Sequence, residues 1–567
     1  MKIPQLTAAA LTKSARCFPA HPCGTLARVD NGKIADRLDA FAMLLELSDA
    51  NPYSARAYRR AAEAIRATPA PVAELVATGR GRELRGVGAG IDLRLRELVR
   101  TGEIAELAEL ERELSPGLVG LMRYLGVGAN RALELARALD VHTPEELRAA
   151  AAAGRLRDVP GIGPKTEAQL LGALAREAAP PSRPGLLLNR AIELVGGVAA
   201  ALGGEPAGDV RRRRELCEVL SVVCGDADPE PLLDRFAALP QIVALVERES
   251  RRALGVTVEG VALELRVAAP ERFGSELVRA TGAPGYVRAL EPIPDEPAET
   301  GVYEALGIPW CPPELREAPF AGEPPMLVDL PVIRGDLHCH STWSDGRASI
   351  AEMGAAAREC GYEYLAICDH TPAVGAVRGL DADAVRRQAE EIAATNETLA
   401  PFVVLRGIEC DILPDGRLDL PDDVLAELDW VQVSVHGGQR MPAREMTARV
   451  CHALENPHVR CLSHPTGRLL TRRPENAVDL ERVYALAVER GVALEVNGLP
   501  PRLDLSGAHV RDALRAGARI VCSTDAHSVA GLENMAHSVA TARRGWATAA
   551  DVLNTRPLDQ LLARERR

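Results

Sequence analysis

Arg334-Gly335-Asp336-Leu337-His338-Cys339-His340-Ser341-Thr342-Trp343-Ser344-Asp345-Gly346 is the stretch whose reading decides the fold of the carboxy-terminal third. A short apolar run, Val332–Leu337, stops on a His-x-His pair, and an aspartate follows in the loop. The same device returns further along. Apolar runs at Tyr364–Cys368, Phe402–Ile408, Trp430–Val435, Val459–Ser463, Val492–Val496 and Arg519–Ser523 are separated by helical segments, an alternation that predicts parallel strands. Six of these seven strands carry a metal-binding residue type at or just beyond the carboxyl end: His338 and His340, His370, Glu409, His436, His464, and Asp525 with His527, while Asp345 stands in the first loop. In a closed parallel barrel every strand delivers its last residues to one rim. A lone histidine is more often a packed residue than a ligand, but six of them with three carboxylates at matching strand ends predict a polynuclear metal site. Imidazole and carboxylate without thiolate suit zinc, manganese or iron rather than magnesium or calcium alone. Cys339, Cys410 and Cys522 adjoin the ligands, but alternation should turn Cys339 and Cys410 away from the rim, so no thiolate ligand is expected.

The histidines also divide the chain. Of twelve, only His21 and His142 precede His338, so two chemistries in series are expected, one without histidine and one dependent on it. At 567 residues the chain is too long for a single core, and at roughly 100–200 residues per domain it predicts three or four units. A hydrophobic share of 47% with 26% charge, and no apolar run of about 18 residues, exclude the membrane-spanning and disordered classes. The formal charge is −12, so nucleic-acid contacts must come from local basic patches rather than from the field of the whole molecule. Twelve cysteines stand singly, without a C-x-x-C pair, which points to a reducing, cytoplasmic home. Residues 1–30 read as a tail that lacks the apolar core and cleavage pattern of a leader.

From Ile34 to Leu114 apolar residues recur three and four apart, a helical period. Three turns, Leu84-Arg85-Gly86-Val87-Gly88, Tyr124-Leu125-Gly126-Val127-Gly128 and Val159-Pro160-Gly161-Ile162-Gly163, each open an amphipathic helix. One Gly-apolar-Gly turn is a plain connector. Three copies point to binding of DNA backbone, because glycines tighten the turn and leave helix-start N–H groups free to meet a phosphate whatever the base. The unit resembles the helix-hairpin-helix of DNA repair proteins, and the order of units resembles the amino-terminal and fingers regions of bacterial family X DNA polymerases. Relatives of that family use a lysine after the first hairpin to form a Schiff base with an abasic sugar. The corresponding residue here is Arg94, whose guanidinium cannot serve as that amine, so no deoxyribose-phosphate lyase activity is expected.

Family X polymerases also carry a Gly-Ser-x-Arg-Arg element that holds the triphosphate, an Asp-x-Asp pair on a strand and a third aspartate on a later strand. The matching stretches are Gly208-Asp209-Val210-Arg211-Arg212-Arg213-Arg214 to Val223 and Gly260 to Val267. The paired aspartates correspond to Val219 and Ser221, the third to Glu264, and Asp209 replaces the serine. One carboxylate cannot hold two magnesium ions. The resemblance therefore implies a nucleotidyltransferase-like α/β palm without nucleotide addition; the competing alignment places the acids at Asp226 and Asp228, in a loop-like context. Arg211 to Arg214 read equally well as a solvated face or as DNA-phosphate contacts.

The carboxy-terminal third resembles the PHP (polymerase and histidinol phosphatase) domain, which bacterial family X polymerases carry at that end. Cys368-Asp369-His370, Gly407-Ile408-Glu409, Ser434-Val435-His436, Ser463-His464-Pro465-Thr466-Gly467-Arg468 and Ser523-Thr524-Asp525-Ala526-His527 complete the match begun at Arg334. The resemblance implies three divalent ions, manganese, zinc or iron. One is held by His338, His340, Glu409 and Asp525, a second by Asp345, His370 and His527, and a third by His436 and His464 with Glu409 bridging. Arg468 and Arg378 are candidate phosphate clamps, and Thr371-Pro372-Ala373 departs from the Ser-Lys of many relatives.

The expected architecture is multidomain. A tail at 1–30 precedes an α-helical helix-hairpin-helix domain at 31–115 and fingers-like hairpin repeats at 116–182. A degenerate palm and thumb at 183–300 and a Pro-rich linker at 301–331 lead to a distorted (β/α)7 PHP barrel at 332–567. The expected activity is metal-dependent 3′–5′ exonuclease cleavage at DNA 3′ ends or gaps, with no membrane partner. A phosphomonoesterase on a small ester and a non-catalytic DNA-end scaffold are the alternatives, and a monomer is among the open oligomeric states.

Overall fold

A computed structural model describes residues 31–47, 52–67, 72–84, 86–113, 134–136, 138–141, 144–159, 162, 185–257, 260–320, 322–375 and 377–563. The tail at 1–30, the second hairpin with Gly126 and Gly128, and Gly161 and Gly163 of the third lie outside these residues. The chain forms two compact units, divided after Glu113.

The first unit is helical: α1 (Asn31–Leu47), α2 (Pro52–Ala67), α3 (Val72–Ala77), α4 (Ala89–Thr101) and α5 (Ala105–Glu113). Ile34, Leu38, Phe41 and Leu45 are buried at the three- and four-residue spacing of one helix face, and Ala61, Ala62 and Ile65 of α2 are buried too. Phe41 meets Tyr58 edge-on, with ring centroids 4.8 Å apart. Gly86 takes a positive φ of 78° in the turn, Val87 is buried, and Gly88 is the extended cap residue of α4. Arg94 on α4 pairs with Glu97 at 3.2 Å and also with Glu106.

The second unit holds β1 (Leu186–Leu187), β2 (Glu205–Ala207), β3 (Leu216–Cys217), β4 (Leu220–Gly225), β5 (Ile242–Arg248), β6 (Arg252–Thr257) and β7 (Ala262–Ala268). Five of these form a mixed sheet in the order β2-β4-β7-β6-β5, while β1 and β3 pair as an antiparallel ribbon. Helix Leu188–Leu202 covers the sheet, burying Leu188, Ala191, Leu194, Val195, Val198, Ala199 and Leu202. The Pro-rich stretch expected as a linker is built into the fold: helix Glu299–Leu306 opens it, and Tyr303, Cys311 and Leu315 pack with Val278 and Tyr286.

Seven further strands follow: β8 (Gly335–Cys339), β9 (Tyr364–Ile367), β10 (Val403–Asp411), β11 (Trp430–Ser434), β12 (Cys461–Leu462), β13 (Ala493–Asn497) and β14 (Ile520–Ser523). They pair in sequence order, every pair parallel. A parallel bridge between Cys339 and Ala526 brings the two edges together, so the barrel is nearly closed. β8 begins three residues later than expected because Leu330–Val332, with Pro331, form a 3-10 turn. It runs on through Cys339, which puts His338 inside the strand. β10 likewise continues past Ile408 to Asp411, and β12 is reduced to two residues. Leu337, Ala366, Leu405, Trp430, Cys461, Ala493 and Val521 form one buried apolar cluster. Every strand contributes to it, so it fills the barrel interior as a floor.

The five-stranded domain and the barrel share a face. Leu503, from the loop after β13, is wholly buried in the core that contains Val210, Cys217 and Leu220. Glu215 accepts the Gly507 N–H at 2.8 Å, and Arg544 lies 3.8 Å from Glu215 and donates to Glu317 at 2.9 Å.

Candidate metal centre

Above the apolar floor, alternation places polar side chains. Two residues beyond Trp430, Cys461, Ala493 and Val521 come Gln432, Ser463, Glu495 and Ser523, all buried. They form one hydrogen-bonded layer. Ser523 and Ser463 hydroxyls donate to Glu495 at 2.5 and 2.9 Å, Gln432 donates to it at 3.2 Å, and the His464 backbone N–H donates at 2.6 Å. Glu495 Oε1 lies 2.6 Å from His338 Nδ1, which turns Nε2 of that ring towards the rim.

The rim gathers all nine residues expected there. His340, Asp345, His370 and His527 present ligand atoms within 4.8 Å of one another; so do His338, His340 and Asp525, and so do His370, Glu409 and His436. Glu409 Oε2 is 3.5 Å from His338 Nε2 and 2.9 Å from His370 Nδ1, and its Oε1 is 2.9 Å from His464 Nε2 and 3.6 Å from His436 Nε2. The grouping is wider than the family resemblance implied, since His340 also faces the second group and His370 also faces the third.

A second ring of acids orients these donors. Asp411 accepts the His436 N–H at 3.0 Å, and Asp369 accepts the Ser341 N–H at 2.8 Å and its hydroxyl at 2.6 Å. Asp336 accepts from Thr524 and from the His338 N–H. Glu495, Asp411 and Arg502 were absent from the sequence expectation. The alternation that turned the metal ligands inward also marks Glu495, the next-to-last residue of the apolar run Val492–Val496.

The electrostatics match a cation site. Burial opposes the charge of Glu409, yet His436, His338 and His370 hold its pKa well below the usual carboxylate range. Burial and the neighbouring His527 and His370 push His340 down to about 3, leaving a neutral imidazole with one ring nitrogen able to offer its lone pair. Among the described residues, His340 Nδ1 and His464 Nδ1 are buried with no hydrogen-bond partner. Buried ring nitrogens of that kind, beside anionic oxygens and with no thiolate among the nine, fit divalent zinc, manganese or iron. The described cysteines are all free.

The arginines divide differently from expectation. Arg468 directs Nε to the Arg502 carbonyl at 3.1 Å and Nη2 to the Leu503 carbonyl, so its guanidinium holds a loop. Arg378 is exposed on the loop after His370. Arg502 instead reaches the cluster, its Nε 3.3 Å from Asp525 Oδ2.

In the five-stranded sheet, Ser221 is level with Glu264 across the parallel β4–β7 pair. Glu264 is ion-paired with both Arg252 and Arg266, the latter at 2.6 Å. Val219 is exposed. Asp209 is buried and accepts the N–H groups of Glu218 and Val219 at 2.7 and 2.8 Å, so it anchors the chain entering β4. Arg211 is committed to Thr281 and Glu299, and Arg212 to Asp209, the Thr281 carbonyl and Glu317. Half of the arginine run is thus internal rather than a solvated face.

Comparison with known proteins agrees with this geometry. A helix-hairpin-helix domain model matches residues 29–104, a SAM-like helix-hairpin-helix tandem matches 121–176, and a PHP domain model matches 336–497. The last ends before Asp525 and His527, which the fold returns to the same rim. A probable phosphatase of Acetivibrio thermocellus is 30% identical over 34% of this chain and 78% of its own. One from Photobacterium profundum is 28% identical over 35% and 80%. The DNA polymerase/3′-5′ exonuclease PolX of Bacillus subtilis is 33% identical over 93% of this chain and 97% of its own. At that identity, over nearly the whole length of both, the chain belongs to the PolX family of DNA polymerase/3′–5′ exonucleases.

Proposed function

We propose that this chain is a metal-dependent 3′–5′ exonuclease that hydrolyses phosphodiesters at DNA 3′ ends, working in the cytoplasm, and that its palm no longer transfers nucleotides. The observation that carries the first part is the convergence of six histidines and three carboxylates on one barrel rim. His338, His340, Glu409 and Asp525 would hold one ion, Asp345, His370 and His527 a second, and His436 and His464 with Glu409 a third. Such ions lower the pKa of bound water and offset charge on phosphate oxygens. The chain's own residues do the positioning. Glu495 and Asp411 fix the His338 and His436 rings, and the Gly86 and Gly88 turn, with Gly126, Gly128, Gly161 and Gly163 in its sequence repeats, would hold the DNA backbone.

Support for loss of polymerisation lies in the sheet. The carboxylate level with Ser221 is that of Glu264, and it is already ion-paired with Arg252 and Arg266. Given primer–template, manganese and dNTPs, the protein should shorten the primer without extending it; extension by a few nucleotides would refute the second part.

The probable-phosphatase relatives support a second reading, hydrolysis of a small phosphomonoester. Release of phosphate from small esters much faster than nucleotides from DNA ends would favour it over the exonuclease.

A further inference from the structure

Arg502 stands on the loop after β13 between two unlike neighbours. Its Nε faces Asp525 Oδ2 at 3.3 Å, while Oδ1 of the same carboxylate faces His340 Nε2 at 3.2 Å and His338 Nε2 at 3.8 Å. The next residue, Leu503, is wholly buried in the palm core. Asp504, wholly buried as well, accepts the Thr466 N–H at 3.2 Å. Arg468 clasps the carbonyls of Arg502 and Leu503. Three consecutive residues are therefore tied to the palm, to the segment after His464 and to Arg468, which fixes the backbone from which Arg502 reaches the rim.

The guanidinium keeps donors in reserve. It carries five N–H groups, and among the described residues Asp525 is the one partner of its side chain.

We propose that Arg502 takes the non-bridging oxygens of the phosphate to be cleaved, and that the palm serves the barrel by anchoring Leu503 and so aiming Arg502. The proposal rests on the reading of the barrel as a phosphoesterase and adds the side chain that selects phosphate. A planar guanidinium matches two phosphate oxygens at once, which an ammonium does not. Arg468 becomes a positioning residue, acting through the loop it clasps.

The test uses the full, metal-loaded chain and inorganic phosphate as probe. Phosphate affinity is read by calorimetry, metal content by elemental analysis, and KM and kcat on an end-labelled DNA strand. Arg502→Ala should keep its metals, weaken phosphate binding about 10- to 100-fold, as expected for one or two charge-assisted hydrogen bonds, and raise KM more than it lowers kcat. Arg502→Lys should recover only part of the affinity. Leu503→Ala should weaken phosphate binding although it removes no atom that touches phosphate; if it does not fold, Arg468→Gln releases the same loop. Unchanged phosphate affinity in Arg502→Ala would overturn the proposal, and so would metal loss in that variant, which would make Arg502 a support for Asp525. If the wild type cleaves no phosphoester the hydrolase reading falls by itself, while the phosphate titration still decides the role of Arg502.

Discussion

Ser221 and Glu264 stand opposite each other in the parallel β4–β7 register, and the carboxylate is turned onto Arg252 and Arg266. Placing acids at Val219 and Ser221 should therefore be insufficient for nucleotide addition. Val219→Asp combined with Ser221→Asp is expected to give no primer extension with magnesium or manganese, because Glu264 stays paired. Adding Arg252→Ala to that double variant isolates the pairing, and primer-extension gels read both outcomes.

Glu495 is the acid on which the His338 ring, two serines and a glutamine converge. Outer-sphere partners of this kind orient a ligand, and removing one typically costs 10- to 100-fold in metal affinity. Glu495→Gln should lower metal occupancy by about that factor. Cleavage should then return on adding excess metal, as followed by activity against metal concentration.

His340 faces two of the three ligand groups. His340→Ala is expected to reduce DNA-end cleavage to the level of a chelator-treated control, while salt-sensitive DNA binding by the hairpin unit persists. Chelation should also lower the melting temperature, since a ligand at 100 times its Kd stabilises by about 2.7 kcal/mol.

Arg316 is wholly buried, donates to the Cys311 carbonyl at 2.9 Å and pairs with Glu299 at 2.6 Å. Breaking a buried pair from one side leaves an uncompensated charge, so Arg316→Ala should cost roughly 3–5 kcal/mol. Urea denaturation should show this as a lower midpoint, with the loss confined to the palm-side transition if the domains unfold in separate steps.

Arg94, which the family resemblance sets at the position of the Schiff-base lysine, is held by Glu97 and Glu106. Borohydride reduction in the presence of a 5′-deoxyribose-phosphate end should trap no covalent adduct.

The barrel was largely legible because its signal is local: an apolar run of period two ends on a residue whose chemistry names its role. His338, His370, Glu409, His436 and His464 all follow that grammar. Boundaries slipped where local rules competed, as at Pro331, which delays β8, and at β12, which shrinks to two residues. The sequence places Arg468 four residues after His464 but does not show that its guanidinium meets carbonyls more than thirty residues away. Arg502 and Asp411 escaped notice for the complementary reason. Their partners are brought by register between strands, and a sequence shows spacing along the chain, not across a sheet. In the palm, the pairing of Glu264 with two arginines needed the β6–β7 alignment, which the sequence does not show.

The apolar floor contributed by all seven strands gives the barrel the topology of a cup rather than a tunnel. On the proposed reading, whatever is severed at the mouth would back out through the same opening by which the polymer came in. The freed fragment and the shortened end would then share one doorway, and inhibition of end cleavage by its own product is the expected outcome.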